Sequence, residues 1–225
     1  MSEFMQGFCV DCGNTSDITV DHVIPRCLFP GRIPKDALVV AACPTCNGVM
    51  KSSFDAYLRD LLVVDTNSYE TTIAQQLHPK FQRAFARNQS NLMRDFLNDN
   101  EILDVVDTSG NLVKHVVTSE KANEQIENVM VMIERGLYHY YLDTTLPSNV
   151  PFEVIRVFDR DTFEKIESEL YERGGFYAPL GDGNIFECTF SLLPEDSCVS
   201  IWLLTFYRST MIMVVTGRES DKNGY

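Results

Sequence analysis

Hydrophobic and polar positions alternate with two different periods along the first part of the chain. A strand-like alternation runs over residues 18–24, and a second short apolar run covers residues 38–42. Residues 52–62 then have the spacing of a helix, with Ser52 as the candidate N-cap and Asp55 three residues later, as in a capping box. This pattern predicts a pair of short strands followed by a helix.

The later residues show both periods again, with no internal repeat. Helical spacing predicts helices over residues 70–99, 119–142 and 161–173. Strand alternation predicts a strand pair within 100–118 around a Ser109-Gly110-Asn111 turn, and further strands at 152–157, 185–191, 197–206 and 210–216. The pattern predicts an α+β fold with an N-terminal domain over 1–64. An α+β C-terminal region over 65–225 follows, and it begins with a helical connector at about 65–100.

The composition is that of a globular protein, with 44% hydrophobic and 23% charged residues, which excludes a collagen-like or disordered chain. The net charge of −13 argues against a general nucleic-acid binder, because such proteins are usually basic. The acidity is uneven, however. Residues 1–64 hold five bases and seven acids, whereas residues 65–225 hold fourteen bases and twenty-five acids. Total charge therefore leaves room for local binding of nucleic acid.

A basic stretch interrupts the acidic region. Residues 66–94 contain one acid and four bases, namely Lys80, Arg83, Arg87 and Arg94. Their spacing of three, four and seven residues predicts that all four lie on one face of a single helix. Such a face is usually only solvated. The alternative is that it follows the phosphate backbone of a nucleic acid.

Membrane and secretion signals are lacking in the sequence. No stretch approaches the roughly 18 apolar residues of a membrane-spanning helix. The N-terminus does not have the basic and apolar regions of a signal peptide. We therefore expect a cytoplasmic protein without a membrane partner, and the sequence indicates no particular oligomeric state. Seven cysteines cannot all pair within one chain, so clustered cysteines predict a metal site before disulfides.

Four cysteines form two Cys-x-x-Cys pairs, Cys9–Cys12 and Cys43–Cys46, which thirty residues separate. Two such pairs are typical of a tetrahedral zinc site, in which each pair forms a tight turn around one ion. The alternative is that one pair is incidental. The other three cysteines have no partner at metal-binding spacing and are expected to be buried thiols: Cys27, Cys188 and Cys198.

Further polar residues stand between and after these pairs. Asp21-His22-Val23-Ile24-Pro25 lies between them, and Asn47 follows the second pair directly. In this order the chain resembles the HNH endonucleases, the ββα-metal nuclease superfamily. There, a Cys-x-x-Cys turn, a strand with Asp-His or His-His, a second strand and a helix after Cys-x-x-Cys form one unit. Residues 21–30 and 55–59 resemble a bacterial subgroup of these enzymes. The resemblance covers about residues 9–62 and weakens sharply afterwards.

The resemblance implies a metal-dependent endonuclease that hydrolyses phosphodiester bonds of DNA, with a role in bacterial defence or DNA processing. His22 would be the general base, since the pKa of a neutral imidazole lies near working pH. Asp21 and Asn47 would supply oxygen ligands to a catalytic Mg²⁺ or Mn²⁺, which stabilises the leaving 3′ oxygen. The zinc would be structural.

Several residues keep two interpretations. Asp55 is either a helix-capping residue or a further ligand of the catalytic cation, and Asn47 is either a ligand or a helix N-cap. Lys51 either contacts phosphate or is simply solvated. Many HNH sequences carry an asparagine before the second strand, where this chain has Asp36-Ala37-Leu38, so His22 is less well oriented or Asp36 takes over that role. The competing function is a catalytically inactive, zinc-stabilised module that binds nucleic acid or protein.

Overall fold

A computed structural model describes residues 7–65, 71–87, 91–98, 100–106, 112–180, 184–193 and 196–217. The fold is mixed α+β, as the sequence predicts. The helices are α1 (Val49–Val64), α2 (Thr72–Ala86), α3 (Asn91–Asn98), α4 (Glu120–Leu142) and α5 (Arg160–Glu172). The strands are β1 (Thr19–His22), β2 (Val39–Ala42), β3 (Glu101–Val106), β4 (Leu112–Thr118), β5 (Phe152–Val157), β6 (Phe176–Leu180), β7 (Phe186–Leu193), β8 (Asp196–Phe206) and β9 (Thr210–Thr216).

The strands form three antiparallel sheets. β1 pairs with β2 in a register that places Thr19 opposite Ala42 and His22 opposite Val39. β3 pairs with β4, and the largest sheet has the order β5-β9-β8-β7-β6. The N-terminal order is therefore strand, strand, helix, which agrees with the predicted strand pair and helix.

The start of α1 corrects one prediction. The helix begins at Val49 with Gly48 as its N-cap, so Ser52 and Asp55 lie inside it and do not form a capping box. A methyl group on Gly48 would lie 2.3 Å from the main-chain oxygen of Pro44, which leaves room only for glycine there. The prediction placed this start too late because Ser52, with Asp55 three residues later, imitates a capping box inside the helix.

The predicted helical stretch 70–99 contains two helices instead of one. α2 ends at Ala86 with Arg87 as its C-cap, and Arg94 lies on α3. The expectation that Lys80, Arg83, Arg87 and Arg94 share one helical face is therefore wrong, because helical periodicity does not continue from α2 into α3. The predicted turn at Ser109-Gly110-Asn111 is outside the residues that the structure describes.

β6 was not predicted from the sequence. It contains Pro179 and directly follows Gly174-Gly175, which are signals of a loop. β6 is the outermost strand of its sheet, beside β7. A proline is tolerated at such an edge, because the missing N–H need not join the ladder.

The large sheet separates two apolar layers. Trp202 and Leu204 of β8 lie in the main core, whereas Leu203 packs on the opposite face against Phe163 and Leu170 of α5. This alternation follows from the two-residue period of a strand. α5 therefore covers one face of the sheet, and α4 and the N-terminal elements cover the other.

Buried residues from both sides of residue 64 form one continuous core. Leu28, Leu58 and Leu62 belong to it, together with Leu137 of α4 and Trp202 of β8. α1 contacts α2, α3 and α4, so it lies at the centre of this core. The apolar side chains thus join the N-terminal elements to the C-terminal region, and the domain boundary at residues 64 and 65 stays a prediction.

Polar contacts reinforce the same junction. The buried hydroxyl of Tyr207 donates a hydrogen bond to the main-chain oxygen of Leu28 at 3.0 Å. Asp65, the C-cap of α1, accepts from Arg156 at 3.3 Å and from Thr210 at 3.2 Å. The ends of α1 and of the loop after β1 are therefore fixed to the large sheet.

None of the helices in the described ranges is both long and apolar enough to cross a lipid bilayer.

A carboxyl group is buried in the middle of α4. Glu134 is 0% exposed, and neither of its side-chain oxygens has a hydrogen-bond partner in the part of the chain that the structure describes. Burial raises the pKa of Glu134 to about 8, and the neighbouring charge of Arg135 opposes this only in part. Glu134 is therefore uncharged in the folded protein at neutral pH.

We expect Glu134→Gln to remove a pH dependence of stability. Between the ordinary pKa near 4.5 and the folded value near 8, the folded chain keeps a proton that the unfolded chain releases. The free energy of unfolding then falls as pH rises across this window, by at most about 1.4 kcal/mol per pH unit. Thermal unfolding from pH 5 to 8 should show a smaller fall for Glu134→Gln than for wild type, and the variant should be the more stable protein at pH 8.

The matched control is Glu127→Gln, an exposed position on the same helix. It should follow the wild-type curve. Parallel curves for wild type and Glu134→Gln would contradict a buried neutral carboxyl group at this position.

Candidate functional site

Four sulfur atoms converge beside the β1–β2 sheet. The Sγ atoms of Cys9, Cys12, Cys43 and Cys46 all lie within 4.8 Å of one another, and those of Cys12 and Cys43 are 3.7 Å apart. Zinc at the usual Zn–S distance of about 2.3 Å places tetrahedral sulfur ligands about 3.8 Å apart. The four cysteines could therefore hold a metal ion such as zinc.

Two tight turns bring these cysteines together. In the first, Gly13, with a φ of +75°, donates to the oxygen of Cys9 at 2.8 Å. In the second, Asn47 donates to the oxygen of Cys43 at 2.9 Å, directly after β2. The antiparallel pairing of β1 and β2 places the two turns at the same end of the small sheet.

The local environment affects the thiols differently. A hydrogen bond from the main chain of Cys46 lowers the pKa of the Cys43 thiol to about 7. Burial raises the pKa of Cys9 and of Cys46. Four adjacent thiolates repel one another, so a cation is needed to hold all four in the ionised form.

The remaining cysteines lie away from this cluster. Cys188 is buried, whereas Cys27 and Cys198 are half-buried. The thiol of Cys27 donates to the main-chain oxygen of Asp55 at 3.1 Å. Among the described residues, the candidate metal ligands are thus the four cysteines that the sequence predicts.

The end of β1 carries Asp21 and His22, whose neighbourhood includes a buried lysine. Lys51 Nζ donates to Asp21 Oδ2 at 2.5 Å and to the main-chain oxygen of His22 at 2.9 Å. Lys51 is only 6% exposed. This placement favours an internal role over the phosphate contact that the sequence allows for Lys51.

His22 is half-buried at the point where β1 ends. Burial lowers the pKa of its imidazole; Arg26 and Lys51 lower it further, and Asp21 opposes them. Its ring makes no hydrogen bond to any residue in the described ranges. The imidazole is therefore neutral near pH 7 and can accept a proton.

Asn47 connects the second cysteine turn to β1. Its Nδ2 donates to Thr19 Oγ1 and to the oxygen of Val20, both at 3.1 Å. The alternative that Asn47 caps α1 is wrong, because the N-cap is Gly48 and no side chain bonds there. Within the described residues the Asn47 side chain makes no hydrogen bond to Asp21. The structure therefore links both expected ligands to β1 but shows no bond between them.

Asp55 lies one helical turn after Lys51 on α1. Its Oδ1 is buried and has no hydrogen-bond partner in the described structure. Burial raises the pKa of Asp55 to about 7; the charge of Lys51 lowers it and that of Asp21 raises it further. Asp55 does not cap α1, so of the two roles that the sequence allows for it, only that of a ligand of the catalytic cation is left.

A further carboxyl group was missed at the sequence level. Burial raises the pKa of Asp11, which interacts electrostatically with Lys51 and Asp21. Asp11 stands inside the first Cys-x-x-Cys pair, and this position is the one signal that could have drawn attention to it. Asp11 and Asp55 therefore each interact electrostatically with Lys51 and with Asp21, and Asp11 also interacts with Arg135.

The expected basic residues are all exposed and lie on other helices. Lys80, Arg83 and Arg87 belong to the C-terminal half of α2 and its cap, and Arg94 lies on α3, where its Nε is 3.8 Å from Asp95 Oδ1. Asp36 is exposed, and its side chain makes no hydrogen bond to a described residue. The structure thus offers no contact by which Asp36 could orient His22.

Comparisons of the chain with protein-family models, with curated proteins and with solved structures find no match. The resemblance to HNH endonucleases therefore rests on the residues quoted above.

We expect purified protein to contain one zinc ion per chain and Cys43→Ser to lose it. A structural metal stabilises only the folded chain, so the variant should also unfold at a lower temperature. Elemental analysis and thermal unfolding measure the two effects. Cys198→Ser, outside the cluster, is the matched control and should keep its metal. Full metal content in Cys43→Ser would contradict a four-thiolate site.

Proposed function

We propose that this protein is a metal-dependent endonuclease that hydrolyses phosphodiester bonds of DNA, with His22 as the general base. The observation that carries the proposal is the neutral imidazole of His22 at the open end of β1, without a hydrogen-bond partner among the described residues. A base of this kind accepts the proton of the attacking water. Beside His22, Lys51 binds Asp21, and both interact electrostatically with Asp55.

The proposal assigns three side-chain oxygen donors to a catalytic divalent cation. Asp55 Oδ1 is buried and has no hydrogen-bond partner within the described ranges, and Lys51 binds Oδ2 of Asp21. A carboxylate has two oxygens, so Asp21 can accept a further partner. In this proposal Asp21 and Asp55 would hold Mg²⁺ or Mn²⁺, and the side-chain oxygen of Asn47, whose Nδ2 is bonded to Thr19 and Val20, would be a third donor. When bound, such an ion would stabilise negative charge on the leaving 3′ oxygen.

The four-cysteine site supports this role as a zinc-bound scaffold. It joins the turn before β1 to the turn between β2 and α1. His22 follows the first of these turns and Asn47 ends the second, so a bound zinc ion would fix the two segments on which they lie. A cytoplasmic setting, in which thiols stay reduced, suits such a site. A role in bacterial defence or DNA processing would be consistent with the same activity.

Substrate binding is the least constrained part of the proposal. The protein carries a net charge of −13, so long-range attraction of DNA is not expected. Lys80, Arg83 and Arg87 form an exposed group, here called the α2 basic patch. Contact of this patch with the phosphate backbone would give weak, salt-sensitive binding.

A second candidate function is a catalytically inactive, zinc-stabilised module that binds nucleic acid or protein. The buried ion pair between Lys51 and Asp21 favours it, because an ammonium already neutralises the carboxylate expected to hold the catalytic cation. A purely structural use of Asp21 would need no divalent ion. The two candidates differ in whether His22 is required for DNA cleavage.

We expect wild-type protein to nick plasmid DNA in the presence of Mg²⁺ or Mn²⁺ and His22→Ala to lose this activity. Loss of a general base lowers the rate by about 10²–10⁴-fold. His78→Ala, a histidine on α2 away from the candidate site, is the control and should retain activity. Gel electrophoresis measures the cleavage, and metal analysis shows that each protein still carries its structural zinc.

The outcome separates the candidates. Equal cleavage by wild type and His22→Ala would contradict the role of His22. Inactivity of the zinc-loaded wild type over single- and double-stranded DNA and RNA would favour the binding module.

We expect replacement of the α2 basic patch by alanine to weaken DNA binding and its salt dependence. Three lost phosphate contacts would reduce the slope of log K against log salt by up to about 3. Fluorescence anisotropy in the absence of divalent cations measures binding without cleavage. Lys165→Ala/Arg173→Ala, two exposed bases on α5 and its cap, is the control.

Arg94→Ala tests the separate position on α3. If Arg94 does not share the binding surface, its replacement leaves the slope unchanged. An unchanged slope for the α2 variant would show that this patch does not contact DNA.

A further inference from the structure

The position of Lys51 is unfavourable for a lysine on general grounds. It lies in the first turn of α1, where the positive end of the helix dipole repels a cation. It is also buried, and removal of an ammonium from water costs free energy unless specific partners compensate. A lysine in this position is therefore explained by its contacts and not by helix stability or solubility.

Its two contacts reach consecutive residues of β1 in different ways. The ammonium of Lys51 binds the side chain of Asp21, at 2.5 Å, and the main chain of His22, at 2.9 Å. Among the described residues Lys51 makes no hydrogen bond to the imidazole of His22 and reaches this residue only through its main chain. Through the main-chain oxygen, Lys51 restricts the main chain of His22 and not its side chain.

The peptide group that follows His22 is fixed at both of its polar atoms. Its oxygen accepts from Lys51, and its N–H, which belongs to Val23, donates to the oxygen of Leu38 at 3.0 Å. A peptide group is planar, so these two bonds set the orientation of the plane and of the His22 Cα atom at its edge. The pairing of Asp21 with Val40 and of His22 with Val39 holds the main chain before His22, so together these contacts limit the direction in which the imidazole leaves the main chain.

α4 packs against the side chain of Val23, the residue that follows His22. A methyl group on Gly136 would lie 2.9 Å from Val23 Cγ2, so the helix and Val23 are already in close contact. The imidazole of His22, in contrast, has no hydrogen-bond partner among the described residues. Its orientation therefore depends on the main chain, which Lys51, Leu38 and the contact with α4 hold in place.

We propose that Lys51 is a positioning residue for the general base, acting through the main-chain oxygen of His22. This inference rests on the proposed function. It differs from both roles that the sequence allows for Lys51, a phosphate contact and a solvated surface position. It also assigns to Lys51 the orientation of His22, for which Asp36 makes no contact. Lys51 itself touches neither the substrate nor the reacting water.

The test compares Lys51→Met, which keeps the apolar stem but has no donor, with Lys51→Arg, which keeps the charge and the donors. Both are measured as zinc-loaded, full-length protein. A misplaced catalytic group lowers the rate by about 10²-fold, so Lys51→Met should lower kcat by this order with KM unchanged. Lys51→Arg should retain more of kcat. Lys165→Met, an exposed lysine on α5, is the control and should match wild type.

A second measurement does not depend on activity. Amide hydrogen exchange of Val23 reports on the peptide group that Lys51 holds, and exchange of Val10, which donates to Ala41 at 3.0 Å, reports on the cysteine end of the same sheet. In Lys51→Met, Val23 should exchange at least tenfold faster while Val10 stays unchanged. Unchanged exchange at Val23 would overturn the proposal.

The results also distinguish a different role of Lys51 and a failure of the proposed function. A raised KM with unchanged kcat would show a phosphate contact and overturn the positioning role. If wild type has no nuclease activity, the proposed function fails, while exchange at Val23 still decides whether Lys51 fixes the peptide group. If Lys51→Met loses its zinc, Lys51→Leu, which also has no donor, serves in its place; wild-type kcat and wild-type exchange at Val23 in that folded variant would overturn the proposal.

Discussion

Convergence of four sulfur atoms is the constraint on which the candidate site depends. A two-stranded sheet of four-residue strands is marginal by itself in water. The apolar cluster beside the cysteines adds little, since its buried members are Cys9, Ala42 and Cys43. A shared metal ion would supply the missing stability by cross-linking residues that stand about thirty positions apart. The end of β1 and the start of α1 both follow these turns, so the geometry of His22, Asn47 and Lys51 rests on the same cross-link.

The apolar core fixes the opposite side of these elements. α1 lies among α2, α3 and α4, and its C-cap, Asp65, is bound to Arg156 and Thr210 of the large sheet. Tyr207 holds the loop after β1 through the oxygen of Leu28. The C-terminal region is therefore part of the support of the candidate site, although it contributes no residue to the proposed chemistry. This shared core explains how short strands can present polar side chains in a fixed arrangement.

Electrostatic competition governs the chemistry that this arrangement can perform. The ammonium of Lys51 binds Asp21 and interacts electrostatically with Asp11 and Asp55, and burial raises the pKa of Asp11 and of Asp55. A divalent cation would relieve the excess of acceptors, whereas the pair of Lys51 with Asp21 relieves part of it without a metal. The proposed nuclease requires that a divalent cation bind Asp21, whereas the proposed inactive module requires only the ion pair of Asp21 with Lys51. In either case His22 remains neutral, because burial disfavours its charged form.

The sequence by itself determined the features that depend on local spacing. The two Cys-x-x-Cys pairs, the helix that became α4 and the alternation of β5 follow from residues near one another in the chain, and the structure agrees with each of them. Tertiary structure decided the edge strand β6 and the pairing of Lys51 with Asp21 across thirty positions. The physical reason is that a repeat or a turn is encoded within a few residues. The partner of a buried charge, in contrast, is chosen by which distant segments pack against it.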